Sequence, residues 1–131
     1  DLWNTLGGFD ESFFMYGEEA DLCLRAREHG SSPAVTDDAV IVHYGGASER
    51  VRSGKLIRLL HAKYRLCRRH WRVPSLAGFM VALWPLSRLL ALSAVSAVRS
   101  VSKPDRDCWR EVWAARRKWL ENDGGYDAAR V

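Results

Sequence analysis

The stretch Gly7-Gly8-Phe9-Asp10-Glu11-Ser12-Phe13-Phe14-Met15-Tyr16-Gly17-Glu18-Glu19-Ala20-Asp21-Leu22-Cys23-Leu24-Arg25 moves from a double-glycine turn, through an aromatic and acidic loop, into a helix. Trp3 to Leu6 reads as a short helix or turn that Gly7-Gly8 closes. Helix is expected to start near Glu18. From Glu19 to His29, Leu22, Cys23 and Ala26 fall at helical spacing, the first turn holds carboxylates that the macrodipole favours, and Gly30 stops the pattern.

Downstream, Ser31-Ser32-Pro33 breaks the helical pattern, and Ala39-Val40-Ile41-Val42-His43 is a short β-branched run ended by Gly45-Gly46. It reads as one strand, with Ala34 to Thr36 as its possible partner. From Ser53 to Arg72, Leu56, Leu59, Leu60, Tyr64 and Cys67 interleave with Lys and Arg as a basic amphipathic helix, which Pro74 ends. Leu76 to Val98 is apolar apart from Pro85, Arg88 and small residues. At about 1.5 Å per residue it is long enough for a hydrocarbon core of about 30 Å. Arg88 would cost roughly 2.5 to 3.5 kcal/mol at the centre of a span, and Pro85 would kink it. The expectation is therefore a helix in the membrane interface or against a partner domain. Asp105 to Asn122 reads as a last amphipathic helix, with Asp105-Arg106-Asp107 as an N-cap after Pro104.

These 131 residues, 47% of them hydrophobic, suffice for one core and not for two full domains. The net charge of +4 hides a division. Residues 1–50 carry three Lys and Arg against ten Asp and Glu, a net −7, whereas residues 51–131 carry seventeen against six, a net +11. An acidic head suits metal or hydroxyl chemistry, and a basic tail suits an anionic partner. Cys23, Cys67 and Cys108 lie far apart, so neither a disulfide framework nor a zinc knuckle is indicated, and reduced thiols fit a cytosolic setting. The opening at Asp1, without a basic or long apolar leader pattern, reads as an excised piece of a longer chain.

Carboxylates beside ring faces and a flexible turn suit binding and deprotonation of a polyhydroxylated ligand. Beyond that, Gly7-Gly8-Phe9-Asp10-Glu11, Phe13-Phe14-Met15-Tyr16, Glu18-Glu19-Ala20-Asp21-Leu22 and His43-Tyr44-Gly45-Gly46-Ala47-Ser48 together resemble the acceptor-side half of a family 2 glycosyltransferase of the rhamnosyltransferase-like kind. The resemblance covers about the first 50 residues, in order. It implies an α+β fold, mostly helical in this piece: residues 1–50 as the C-terminal part of a GT-A, Rossmann-like catalytic domain and residues 51–131 as a basic and apolar helical extension. The nucleotide-binding half with its Asp-x-Asp has no counterpart here.

The resemblance makes the second residue of the acidic pair, Glu19, the general base that takes a proton from the acceptor hydroxyl. The family most often has Asp there, so Glu19 reaches outward by roughly 1.5 Å more. Glu18 and Asp21 become supporting carboxylates, because three acidic groups within four positions disfavour full ionisation of all three. Capping of the helix is the structural alternative for all three. Gly7, Gly8, Phe9, Asp10 and Tyr16 are the expected acceptor- or donor-binding residues, with Trp3, Phe13 and Phe14 as further ring surfaces that also suit a core. His43 is implied as a ligand of Mg²⁺ or Mn²⁺, most of whose shell would come from the missing half. Ser48, Arg50 and Arg52 suit either phosphate oxygens or a solvated loop.

The implied partners are a nucleotide-sugar donor, a glycan or lipid-linked acceptor and an anionic membrane surface, at the cytoplasmic face of the plasma membrane. No nucleic acid is expected, since Arg50 to Arg72 lacks regular aromatic interleaving. The rival reading is a non-catalytic basic module that binds anionic membrane or nucleic acid.

Overall fold

The computed structural model describes residues 1–42, 52–96 and 103–120. Six helices follow in order: α1 (Leu2–Leu6), α2 (Glu18–Glu28), α3 (Arg52–His70), α4 (Leu76–Ser96), α5 (Lys103–Ala114) and α6 (Arg116–Leu120). Asp1 caps α1 by accepting from the Trp3 amide, and Gly7 closes it at φ 72°. Three carboxylates occupy the first turn of α2 and Arg25 and Arg27 its last, the order that the helix dipole favours.

The expected α+β fold is overturned: the described residues are helical or irregular, with no strand among them. Ala39 to Val42 has no ladder, and Val40, Ile41 and Val42 stand 83%, 87% and 78% exposed. The proposed partner, Ala34 to Thr36, is irregular too, with Val35 98% exposed. β-branched residues favour extended backbone only where a neighbouring strand takes their amides and a packed face takes their side chains; this run has neither. No Rossmann-like sheet exists in the described chain.

The last helix also differs from expectation. It begins at Lys103, so Asp105 lies in the first turn instead of capping, and it breaks at Ala115 into α5 and α6. The break folds Trp119 back onto the bundle, where it is fully buried and its indole N–H donates to Val112 O at 2.9 Å. Burial of so large a ring with its donor satisfied outweighs a broken turn of helix.

α3 organises the molecule by its two faces. Ile57, Leu60 and Tyr64 form a core with Ala77 and Val81 of α4, Trp109 and Val112 of α5, and Trp119 of α6. Gly78 of α4 faces Tyr64, where a Cβ would make ordinary van der Waals contact with the ring at 3.4 Å. Trp84 and Trp109 meet edge to face at 5.6 Å. The opposite face of α3 carries Arg58, His61, Ala62, Arg65 and Arg69, and the acidic head packs there. Burial pushes the Cys67 and Cys108 thiols up, as expected for cysteines that serve as packing.

Candidate functional site

Asp21 is the centre of the head. It is fully buried, and both of its oxygens are used. Arg25, one turn on, donates from Nε to Oδ2 at 2.7 Å, while His70 Nε2 lies 2.8 Å and Arg69 Nη1 3.3 Å from Oδ1. The same Arg25 guanidinium donates to the Leu6 and Gly8 carbonyls at 2.6 and 2.7 Å. The Leu6 carbonyl is one that the end of α1 leaves without a helical partner, and Gly8 lies in the turn just beyond it. One buried ion pair thus joins α1, α2 and α3, and its hydrogen bonds offset the desolvation of the charges.

The loop between α1 and α2 is laid along α3. Asp10 accepts from the Ser12 amide at 2.9 Å and pairs with Arg69 across to α3. Its carboxyl is held down at about 2, first by the Ser12 hydroxyl, against burial that raises it, and then by the Ser12 amide and Arg69. Arg65 donates to Ser12 O at 2.7 Å and lies over the Phe13 ring. At Gly17 a Cβ would sit 3.3 Å from Phe13 and 3.6 Å from Ala62, on a φ of 91° that disfavours side chains. Tyr16, immediately before it, holds φ 71°, an uncommon conformation for an aromatic residue. Two left-handed residues in succession turn the chain into α2.

The predicted site residues separate under this geometry. Glu19 is exposed in the first turn of α2 and has no ion pair or hydrogen bond among the described residues. Glu18 is half-buried, and its Oε2 is shut away from solvent without a hydrogen-bond partner among the described residues. Asp21 is locked in its pair with Arg25. Of the proposed binding residues, Asp10 and Tyr16 belong to the same loop, the former paired and the latter half-buried. Gly8 has a structural duty, since a Cβ there would lie 2.9 Å from the Trp3 ring. At Gly7 a Cβ would meet open space. Phe9 and Trp3 are exposed and meet edge to face at 5.4 Å; Phe14 is exposed, whereas Phe13 is buried against α3.

His43, Ser48 and Arg50 lie outside the described residues, and Arg52 pairs with Asp105. Among the described residues no three His, Cys, Asp or Glu side chains converge. Of the two supporting carboxylates expected beside Glu19, Asp21 is already engaged by Arg25, Arg69 and His70.

Arg65, Arg68, Arg69 and His70 were not among the sequence-derived site residues, yet they build the wall facing the loop. A groove of about 260 Å³ is lined by Asp10, Ser12, Phe13, Arg65, Arg68 and Arg69. The signal was present in the spacing, as Arg58, Arg65 and Arg69 recur at seven and four residues on the side of α3 opposite Leu60. Compared with known proteins, the chain matches no family model, no curated protein and no solved structure.

Proposed function

We propose that this chain carries the acceptor-activating part of an inverting glycosyltransferase. The reaction would move a sugar from a nucleotide-diphosphate sugar to a hydroxyl of a glycan or lipid-linked acceptor. The observation that supports it most is the division of labour in α2: Asp21 and Arg25 fix the helix to its surroundings, and Glu19, two residues before Asp21, is exposed with no partner among the described residues. A general base has to be both held in place and uncommitted to other partners.

In the proposed step, a Glu19 carboxylate oxygen takes the proton of the acceptor hydroxyl. The hydroxyl oxygen bonds to the anomeric carbon as the bond to the nucleoside diphosphate breaks, and the configuration inverts. Exposed Phe9, Phe14 and Trp3 offer ring faces to a sugar beside the loop. A divalent cation, Mg²⁺ or Mn²⁺, would offset charge on the leaving diphosphate when bound. His43 would be one of its ligands, with most of the others in the half of the enzyme outside this chain, as the resemblance implies.

The test is product stereochemistry. The full-length protein is given a nucleotide-sugar donor of known anomeric configuration, and the product is read by NMR. Inversion is expected; retention, or no transfer to any hydroxylated acceptor, contradicts the proposal.

A second reading rests on α4. Leu76–Val95 is long and apolar enough to cross a membrane by length and composition, with a mean hydropathy of 1.6, and 11% of it is buried. Phe79, Met80, Leu83 and Leu90 are exposed on it. That face supports docking on an anionic membrane at the cytoplasmic side, with or without catalysis.

A further inference from the structure

We propose that the groove between the acidic loop and α3 is a diphosphate site, with Arg65 and Arg68 as its two cations. Three observations carry this. Arg69, on the same wall, is committed to Asp10 and Asp21. Arg65 and Arg68 are not neutralised: Arg65 donates to the Ser12 carbonyl, Arg68 donates to the Tyr64 hydroxyl at 3.0 Å, and neither has a carboxylate partner among the described residues. Both line the groove of about 260 Å³, together with Ser12.

A guanidinium has five N–H donors, so one bond to a carbonyl or hydroxyl leaves each arginine with most of its donors available. Cations three residues apart on a helix are separated by roughly 4.5 Å along its axis, which suits one guanidinium for each phosphoryl group of a diphosphate. Arg65 lies over Phe13 and Arg68 over Tyr64, at 5.5 and 5.7 Å, so both side chains are supported by ring faces. Asp10 on the rim keeps its charge matched by Arg69 and therefore does not cancel the pair.

The site deepens the glycosyl-transfer reading, because the donor and a lipid-linked acceptor each contain a diphosphate ester. Its binding does not depend on Glu19.

Inorganic pyrophosphate is titrated into the 131-residue chain by calorimetry at fixed ionic strength, with sulfate as the reference anion. The R65Q/R68Q variant is expected to bind pyrophosphate at least about tenfold more weakly. The control R117Q/K118Q removes equal charge from exposed positions of α6 and should change affinity by less than about twofold. R68Q alone, whose hydrogen bond stays within α3, should lose about threefold with the helical circular dichroism of the parent. Equal losses in the control, or pyrophosphate binding no tighter than sulfate, overturn the site.

Competition by uridine diphosphate or by geranyl diphosphate supports the site and assigns it to donor or acceptor; failure of both to displace pyrophosphate overturns it. The E19Q variant should bind pyrophosphate like the parent. A diphosphate site without sugar transfer would thus count against the glycosyltransferase reading alone, and transfer without diphosphate binding against this site alone.

Discussion

At the scale of single residues, neighbouring carboxylates of one helical turn have opposite fates. Removing the buried Asp21 charge takes from Arg25 its carboxylate partner, while Arg69 keeps Asp10, and loss of one partner from a buried pair costs about 3 kcal/mol or more. Asp21→Asn should therefore lower the urea midpoint markedly; an unchanged midpoint would deny Asp21 its central place. Glu18 points the other way. Its unpartnered oxygen carries a desolvation cost of about 1 to 3 kcal/mol, more than the 0.3 to about 1 kcal/mol that the helix dipole returns. Glu18→Gln is expected to leave stability equal or raised by about 1 kcal/mol in the same assay, and a clear loss would contradict this.

Asp10 sets an acid limit. Its folded carboxyl titrates near 2 against an ordinary 3.8, so between those values the unfolded chain holds more protons and stability rises with pH. The contribution is complete above 3.8 and disappears as pH falls towards 2. Urea midpoints measured across that window should fall less steeply for Asp10→Asn than for the parent. The sequence placed Asp10 and Asp21 beside the right turn. What it did not reveal was their partners, because Arg69 and His70 reach them from a helix about fifty residues away.

Among the elements, local signals set the boundaries and tertiary packing set the exceptions. Gly7 and Gly30 end α1 and the turn after α2 in left-handed conformation, as their positions in the sequence imply. The run Ala39 to Val42 has strand composition, but composition alone does not supply a partner. The break at Ala115 was illegible for the converse reason: residues 105–120 satisfy a helical pattern throughout, and only the burial of Trp119 against the bundle explains the interruption. α4 was legible as an apolar helix, and its exposure makes it testable. In flotation with vesicles containing anionic phospholipid, F79E/L90E should bind at least tenfold less than the parent, since each exposed apolar side chain stabilises docking by about 1.5 kcal/mol or more. Equal binding by parent and variant would remove α4 from the account of localisation.

The whole molecule is organised about α3, whose apolar face gathers α4, α5 and α6 and whose basic face receives the acidic head. The opposed charges of the two halves are thus partly spent on each other, and only part of the basic tail is left for an outside anion. The head was legible as a candidate site from its crowded carboxylates, but the groove was not, because its walls come from both halves. We propose that this assembly holds Asp21 for structure and offers Glu19 for chemistry. Turnover of E19Q in the full-length protein, with E11Q as an exposed carboxylate control and donor binding measured alongside, tests it most directly. The account predicts that E19Q retains donor binding and loses at least about a hundredfold in turnover while E11Q stays close to the parent. Near-parental turnover of E19Q would contradict it.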